Sequence, residues 1–272
     1  MYVAENRKTL NYRKDVLPTA TRVVPLICVV ERESTVAKPA LSHLEHEGFA
    51  VRTLSLATDA IQRLKQLHPS LVIIETSTTS RGSALELCRG IRCVQSLAWT
   101  PVILLAATTS EEERILGLES GADDYITESS SAPEIVARVR AVMRRFARQE
   151  HYSGMPQIAL PFLHSSVGIL SPPVGIGDIE IDPAAMRISV RGSEVVTTNL
   201  EFRLLYYLVH NQGRVFTRDQ LLDAVWGAEF VELRSVDACI RRLRRKIEPE
   251  PLRPTYLRTV RGAGYCLQLA AA

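Results

Sequence analysis

Apolar residues along this chain follow two successive rhythms. From Leu26 to Phe146, short and almost wholly apolar runs alternate with stretches of helical period. The runs are LICVV (26–30), FAVRTL (49–54), LVIIE (71–75), PVILLA (101–106) and DDYI (123–126); the helical stretches lie near 39–47, 57–67, 84–93, 110–119 and 132–147. Strands that are apolar on both faces and separated by helices predict a parallel sheet covered on both sides. Five such units fit a doubly wound, flavodoxin-like (CheY-like) α/β domain over 24–146. Ser110–Glu113 and Ser131–Glu134 have the spacing of helix capping boxes, and Pro39 predicts that the first helix either begins there or is kinked there.

The second rhythm begins at Ile176. Strand signals at 176–181, 186–190 and 193–197 precede three helices and a hairpin. Thr198–Glu201 and Thr217–Gln220 open the first two helices with capping-box spacing. Leu204, Leu205, Leu208 and Val209 form the buried face of one, and Leu221, Leu222, Val225 and Trp226 that of the other. The third helix, RSVDACIRRLRRKI (234–247), sets Val236, Ile240, Leu243 and Ile247 on one stripe. Arg234, Ala238, Arg241 and Arg245 fall on the opposite side, with Arg242 on the flank. Tyr256–Tyr265 then reads as two short strands about a glycine-containing turn. Helix, connection, helix and hairpin is the order of a winged helix-turn-helix, an α+β unit over 176–272.

Between the two units, residues 147–175 are interrupted by Pro, Gly and Ser and predict a linker; residues 1–23 show no period and predict a mobile extension. The 272 residues leave room for two domains with separate cores. Composition is globular, with 46% hydrophobic and 23% charged residues. No apolar run approaches the roughly 20 residues of a membrane helix, and the first residues lack a signal-peptide apolar segment. A cytoplasmic protein without a membrane partner is expected. The five cysteines (28, 88, 93, 239 and 266) show no metal spacing and are expected to be small apolar fillers in a reducing compartment. Net charge is only +3, but nine Lys/Arg stand against Asp237, Glu248 and Glu250 between Arg234 and Arg261. Guanidinium forks suit phosphate oxygens and the O6/N7 edge of guanine. An ordinary solvated basic face competes with that reading for the helix alone; the basic hairpin beside it favours duplex DNA.

The segments GLESGADDYIT (117–127), EIVARVRAVMRR (134–145), EFRLLYYL (201–208), RDQLLDAVWG (218–227), VDACIRRLRRKI (236–247) and TVRGAGY (259–265) resemble the OmpR/PhoB family of bacterial response regulators. The resemblance implies an N-terminal receiver and a C-terminal DNA-binding effector. It also implies a DNA-contacting set of Arg234, Ser235, Ala238, Arg241, Arg242, Arg245, Arg258, Thr259 and Arg261. Arg241 and Arg242 are the candidates for base edges, and Arg234 and Arg245 for phosphate. Ala238 would permit close approach, Arg258 and Thr259 would contact phosphate, and Arg261 would lie near the minor groove. Two effectors on a dimer would occupy direct-repeat half-sites about one helical turn apart.

The receiver departs from the family where its chemistry resides. Glu75 stands at the phosphoacceptor position, Glu31 and Arg32 at the acidic pair, Ala106 at the hydroxyl position and Glu128 at the lysine position. Arg32 puts a cation where Mg²⁺ would sit, and Mg²⁺ needs near-octahedral oxygen ligands. Glu75 is one methylene longer than Asp, and misplacement by about 1 Å costs on the order of 100-fold. No metal or other cofactor is expected, and Arg32 with the glutamates reads as a salt-bridged remnant, with a regulatory role such as sensing pH or a ligand as the alternative. The family's pairing face has counterparts in Arg114, Leu118, Asp123, Asp124, Glu134, Val136 and Arg138, which implies a homodimer. The connection 227–233, with Glu229, Phe230 and Glu232, corresponds to a loop that can touch RNA polymerase; burial of Phe230 in a packed connector is the competing reading. The expected function is a dimeric, sequence-specific transcription regulator independent of phosphorylation. The alternative is a phosphorylation-dependent regulator with an atypical acceptor. An enzyme is disfavoured by the absence of GxGxxG, Walker A and nucleophile-elbow motifs.

Overall fold

The computed structural model describes residues 24–31, 38–76, 81–106, 110–127, 129–147, 173–227 and 233–269. The first part is a five-stranded parallel sheet, in spatial order β2-β1-β3-β4-β5. Its strands are β1 (Leu26–Glu31), β2 (Ala50–Ser55), β3 (Leu71–Thr76), β4 (Val102–Ala106) and β5 (Asp124–Thr127). Helices α1 (Lys38–His46), α2 (Ala60–Leu67), α3 (Arg81–Cys93), α4 (Glu111–Glu119) and α5 (Ala132–Ala147) connect and follow them. Every residue of β3 and β4 is buried, because both faces of these central strands are covered. One apolar cluster joins alternate strand residues to α2, α3 and α4, and a second joins the others to α1 and α5.

Pro39 is the second residue of α1, within the first turn, where a missing N–H breaks no helical bond. Of the two boxes expected in this half, Ser110 makes no side-chain cap bond. Glu111, Glu112 and Glu113 instead complement the positive helix end. At α5 only half of the box is present, Ser131 Oγ accepting from Glu134 N at 3.4 Å.

The second part opens with a four-stranded antiparallel sheet of β6 (Val174–Ile176), β7 (Ile179–Asp182), β8 (Arg187–Val190) and β9 (Ser193–Val195). The single strand read at 176–181 is therefore two, folded back at Gly177, whose φ of +58° a side chain would strain. Helix α6 (Asn199–His210) follows, then β10 (Val215–Phe216), and α7 (Arg218–Leu221) running into a π-helical turn at Leu222–Trp226. Helix α8 (Leu233–Ile247) and the hairpin β11 (Leu257–Val260) and β12 (Gly264–Leu267) complete it, with β10 paired to β12. Both capping boxes of this half form in full, Thr198 with Glu201 and Thr217 with Gln220. A single core gathers the sheet, α6, the π-turn, α8 and the wing around Phe202, Phe216 and Trp226.

Candidate nucleic-acid interface

Helix α8 is fastened as its pattern requires: Val236, Ile240, Leu243 and Ile247 are all essentially inaccessible to solvent. Its inner edge is tied to the wing. Arg244 donates through Nε and Nη2 to the Leu257 carbonyl, at 2.9 and 2.7 Å, and through Nη2 to Thr259 Oγ1 at 2.8 Å. Tyr265 donates its hydroxyl to Asp237 Oδ1 at 2.6 Å, and Arg218 Nε donates to the same oxygen at 2.7 Å. Burial and the Asp237 carboxylate push the Tyr265 phenol up to about 12. Recognition helix and wing thus form one rigid unit, with Arg261 and Thr259 exposed at the wing and Arg258 half-buried.

The outer side of α8 is partly covered. Helix α4 of the first domain lies along it. Arg234 pairs with Glu111, Arg241 with Glu119, and Arg245 with Glu119 at 3.6 Å. Ala238, expected to face DNA, is 3% exposed and packs into the first domain's cluster with Leu118. Ser235 is buried as well. The arginines expected to face DNA are thus about half exposed and paired with receiver carboxylates, while Ala238 and Ser235 between them are covered. The spacing was right, but a carboxylate-bearing helix occupies the face because its charge is opposite and Ala238 allows close approach.

Arg242 departs furthest from its expected place on the flank. It is 7% exposed. Its Nε donates to Glu201 Oε1 at 2.7 Å, and Nη1 donates to the Leu118 carbonyl near the C-terminal end of α4. Lys246 Nζ donates to Glu201 Oε2 at 2.6 Å. Burial raises the pKa of Glu201, but Arg242 and Lys246 outweigh it and hold the carboxyl at about 2. The anion is fully paired.

A second contact joins the domains away from α8. The Trp99 ring, in the α3–β4 loop, lies 5.5 Å from that of Phe202 in α6, and Gln95 Nε2 donates to Glu194 Oε1 at 3.4 Å. Arg92 shapes this surface from within. It donates to the carbonyls of Gly121, Ala98 and Thr100 at 2.8, 2.9 and 2.6 Å, and to Asp123 Oδ2 at 2.7 Å. One buried guanidinium thereby fixes both the loop carrying Trp99 and the turn ending α4.

At the C-terminal edge of the parallel sheet, Glu31 ends β1 and Glu75 is the next-to-last residue of the adjacent β3; they are 5% and 7% exposed. Ala106 lies two strands from Glu31, beside Thr76 in the register. Arg32 and Glu128, the remaining members of the expected pocket, lie outside the described residues, so their expected salt-bridged cluster does too. Among the described residues, no group of three or more His, Cys, Asp or Glu could hold a metal ion.

Residues 27–140 match the family described as response regulator receiver domain, and residues 192–267 match the one described as transcriptional regulatory protein, C terminal. The chain belongs to the OmpR/PhoB family of response regulators. Among solved structures, a cysteine-to-serine mutant of RitR is 24% identical and matches over 90% of this chain and 99% of its own, with a TM-score of 0.65. DrrB of Thermotoga maritima is 28% identical over 90% and 99% of the two chains, with a TM-score of 0.38. The DNA-binding domain of CpxR from E. coli is 30% identical over 37% of this chain and all of its own, with a TM-score of 0.33.

OmpR/PhoB proteins are DNA-binding transcription factors rather than enzymes, and DNA binding belongs to the domain matched at 192–267. Of the implied pairing face of the receiver, Leu118 is covered by α8, Asp123 is turned inward to Arg92, and Val136 is buried in the α5 cluster. Arg138 bridges Glu134 at 3.2 Å and lies 3.7 Å from Asp124, while the Arg114 guanidinium lies over the Tyr125 ring. The connection carrying Glu229, Phe230 and Glu232 lies outside the described residues. Four cysteines are buried, as expected of apolar fillers. Burial pushes the thiols of Cys28 and Cys88 up to about 11 and that of Cys239 to about 12. Cys93 is the exception, being exposed at the end of α3. Glu111, Glu119, Arg92 and Trp99 were not singled out in the sequence. Glu119 and Trp99 act where the two domains meet, and Arg92 acts through receiver loops that its own helix does not contain. No helix among the described residues is long and apolar enough to cross a membrane.

Proposed function

We propose that this OmpR/PhoB protein is a sequence-specific transcription regulator that acts as a homodimer, without aspartyl-phosphate transfer, and is gated by its receiver covering α8. The ion pairing of Arg234, Arg241 and Arg245 with Glu111 and Glu119 carries the reading. Guanidinium groups that suit phosphate here meet carboxylates, so receiver and DNA compete for the same donors. Apparent DNA affinity is then the intrinsic affinity reduced by the fraction of open molecules.

Independence from phosphorylation is supported by Glu75 and Ala106 at positions where the family chemistry uses an aspartate and a hydroxyl, and by Arg32 in place of a metal-binding carboxylate. Homodimerisation is supported by the mixed charges of α4, β5 and α5. Because Leu118 lies under α8, receivers pair through this face after α8 leaves it, so the closed protein is monomeric and the DNA-bound protein dimeric. The dimer spans direct-repeat half-sites, and the 227–233 connection contacts RNA polymerase. The protein acts in the cytoplasm, where its DNA lies.

The test is titration of full-length protein onto promoter fragments at moderate salt, with and without Mg²⁺ and beryllofluoride, alongside native mass measurement. Binding that is unchanged by beryllofluoride, with two protomers on each occupied fragment, is the expected result. Binding that appears only after beryllofluoride or acetyl phosphate would overturn it, as would failure to bind any promoter fragment.

A further inference from the structure

We infer that Glu201 is a positioning residue for DNA reading: it holds Arg242 by Nε, so that the outer Nη end forms one docking point, filled by the receiver's Leu118 carbonyl in the closed protein and by a hydrogen-bond acceptor of DNA in the open one. This rests on the DNA-binding reading above and names what aims the arginine.

Glu201 is held first by its own helix. It is the third residue of α6, and Thr198 Oγ1 accepts from Glu201 N at 3.2 Å while Glu201 Oε2 accepts from Thr198 N at 3.0 Å. With the carboxylate fixed at this helix start and no part of it exposed, the cation that reaches it must come to its place. Arg242 and Lys246, one turn apart on α8, do so at 2.7 and 2.6 Å.

Capping alone does not need a charge there. At Thr217 the same box is made by a neutral residue, Gln220, with bonds of 3.0 and 3.2 Å. The negative charge at position 201 therefore serves the two cations of α8, and burial of such a charge is tolerated because both partners are in place. Tethering Nε removes freedom from a long side chain before it meets DNA, so less entropy is lost when its outer donors find an acceptor.

The outer end is already occupied by an atom of suitable chemistry. The Leu118 carbonyl belongs to the last turn of α4, where helix carbonyls carry partial negative charge. A guanine O6 or a phosphate oxygen offers the same kind of acceptor. Closed and open states thus exchange one acceptor for another at a guanidinium that Glu201 does not release.

The experiment uses full-length protein and an operator selected by the wild type from random duplexes. Affinities are measured for that operator, for each single base-pair variant and for unrelated DNA. Glu201→Gln keeps the cap and removes the charge; Arg242→Lys keeps Glu201 paired but cannot present a fork beyond it. Both variants are expected to lose discrimination on the order of tenfold at the same one or two base pairs, with affinity for unrelated DNA held within about twofold. In an Arg242→Ala background, Glu201→Gln is expected to change discrimination no further. Full discrimination retained at every position by Arg242→Lys would overturn the inference. So would a uniform loss across all sequences in Glu201→Gln that melts like wild type. If Glu201→Gln melts early, Arg242→Lys decides alone. A wild type that selects no sequence would instead defeat the DNA-binding reading itself.

Discussion

The ring of Trp99, in the receiver, lies 5.5 Å from that of Phe202, in the effector, tilted by 52°. Phe202 in turn stacks on Tyr206 at 6.0 Å. This aromatic row crosses the domain boundary between the α3–β4 loop and α6. It holds the effector to the receiver independently of the arginines of α8. Aromatic pairs contribute about 0.5–1.5 kcal/mol beyond the area they bury. Trp99→Ala is therefore expected to raise operator affinity by roughly 2- to 10-fold and to increase the radius of gyration in small-angle scattering. Unchanged affinity together with an unchanged radius would remove Trp99 from the closure.

Glu119 serves two arginines, Arg241 and Arg245, and its side chain is only 16% exposed while theirs are about half exposed. Pairs of that kind contribute about 0–1 kcal/mol each once solvent screening is counted. Glu119→Gln is expected to increase operator affinity modestly at low salt. The increase should fade as salt rises, because screening already weakens the wild-type pairs. A gain that persists undiminished at high salt would show that the pairs are not what closes α8.

Asp124 carries a pH signature of a different sign from Glu201. Burial pushes its carboxyl up to about 6, against the opposing effect of Arg138. A folded value above the ordinary 3.8 means that stability from this group is fully present below pH 3.8 and is lost as pH rises through about 6. Subtracting the unfolding free energy of Asp124→Asn from that of wild type should leave a difference falling by about 2–3 kcal/mol across that window. A flat difference profile between pH 4 and 6 would contradict the assignment. Glu201, held at about 2, contributes stability above its ordinary value of 4.5 that is lost as pH falls toward 2.

Gly264 begins β12 with φ of +139°, and a Cβ placed on it would lie 1.9 Å from the Phe216 carbonyl oxygen. Backbone cannot yield as a flexible side chain does. Gly264→Ala should destabilise the effector by about 3 kcal/mol or more, detected as a lower thermal midpoint and loss of DNA binding. Wild-type melting would mean that the close pairing of β10 with β12 is dispensable.

Among the described residues, neither Arg258 nor Arg261, on the wing, pairs with the receiver carboxylates that meet α8. Arg258→Ala and Arg261→Ala should each flatten the salt dependence of operator binding by about one unit of slope without opening the closed form. An unaltered slope in both variants would remove the wing from the phosphate contacts.

The strands and helices of the receiver were legible because period alone decides whether a segment can be covered on one face or two. The LVIIE and PVILLA runs have no polar side to show to water. The apolar stripe of α8 was legible for the same reason, as were the boxes at Thr198 and Thr217. The two-residue strand β10 was not, since so short a segment has no period of its own. Gly177 breaks what reads as one strand because a turn there depends on φ rather than on hydropathy. Ser110 has the box spacing without the bond, since spacing states which partners could meet and not which do.

The sequence by itself determined the α/β and winged-helix cores, the arginine stripe, and the presence of Glu75 and Ala106 at the ends of the central strands. Tertiary structure alone decided that the stripe pairs with α4 carboxylates, that Arg242 is held between Glu201 and Leu118, and that Trp99 touches Phe202. Local pattern fixes each element's own face through the burial of its apolar side chains. Which charged face meets which depends on contacts between residues more than a hundred positions apart, and no periodicity within either domain encodes that pairing.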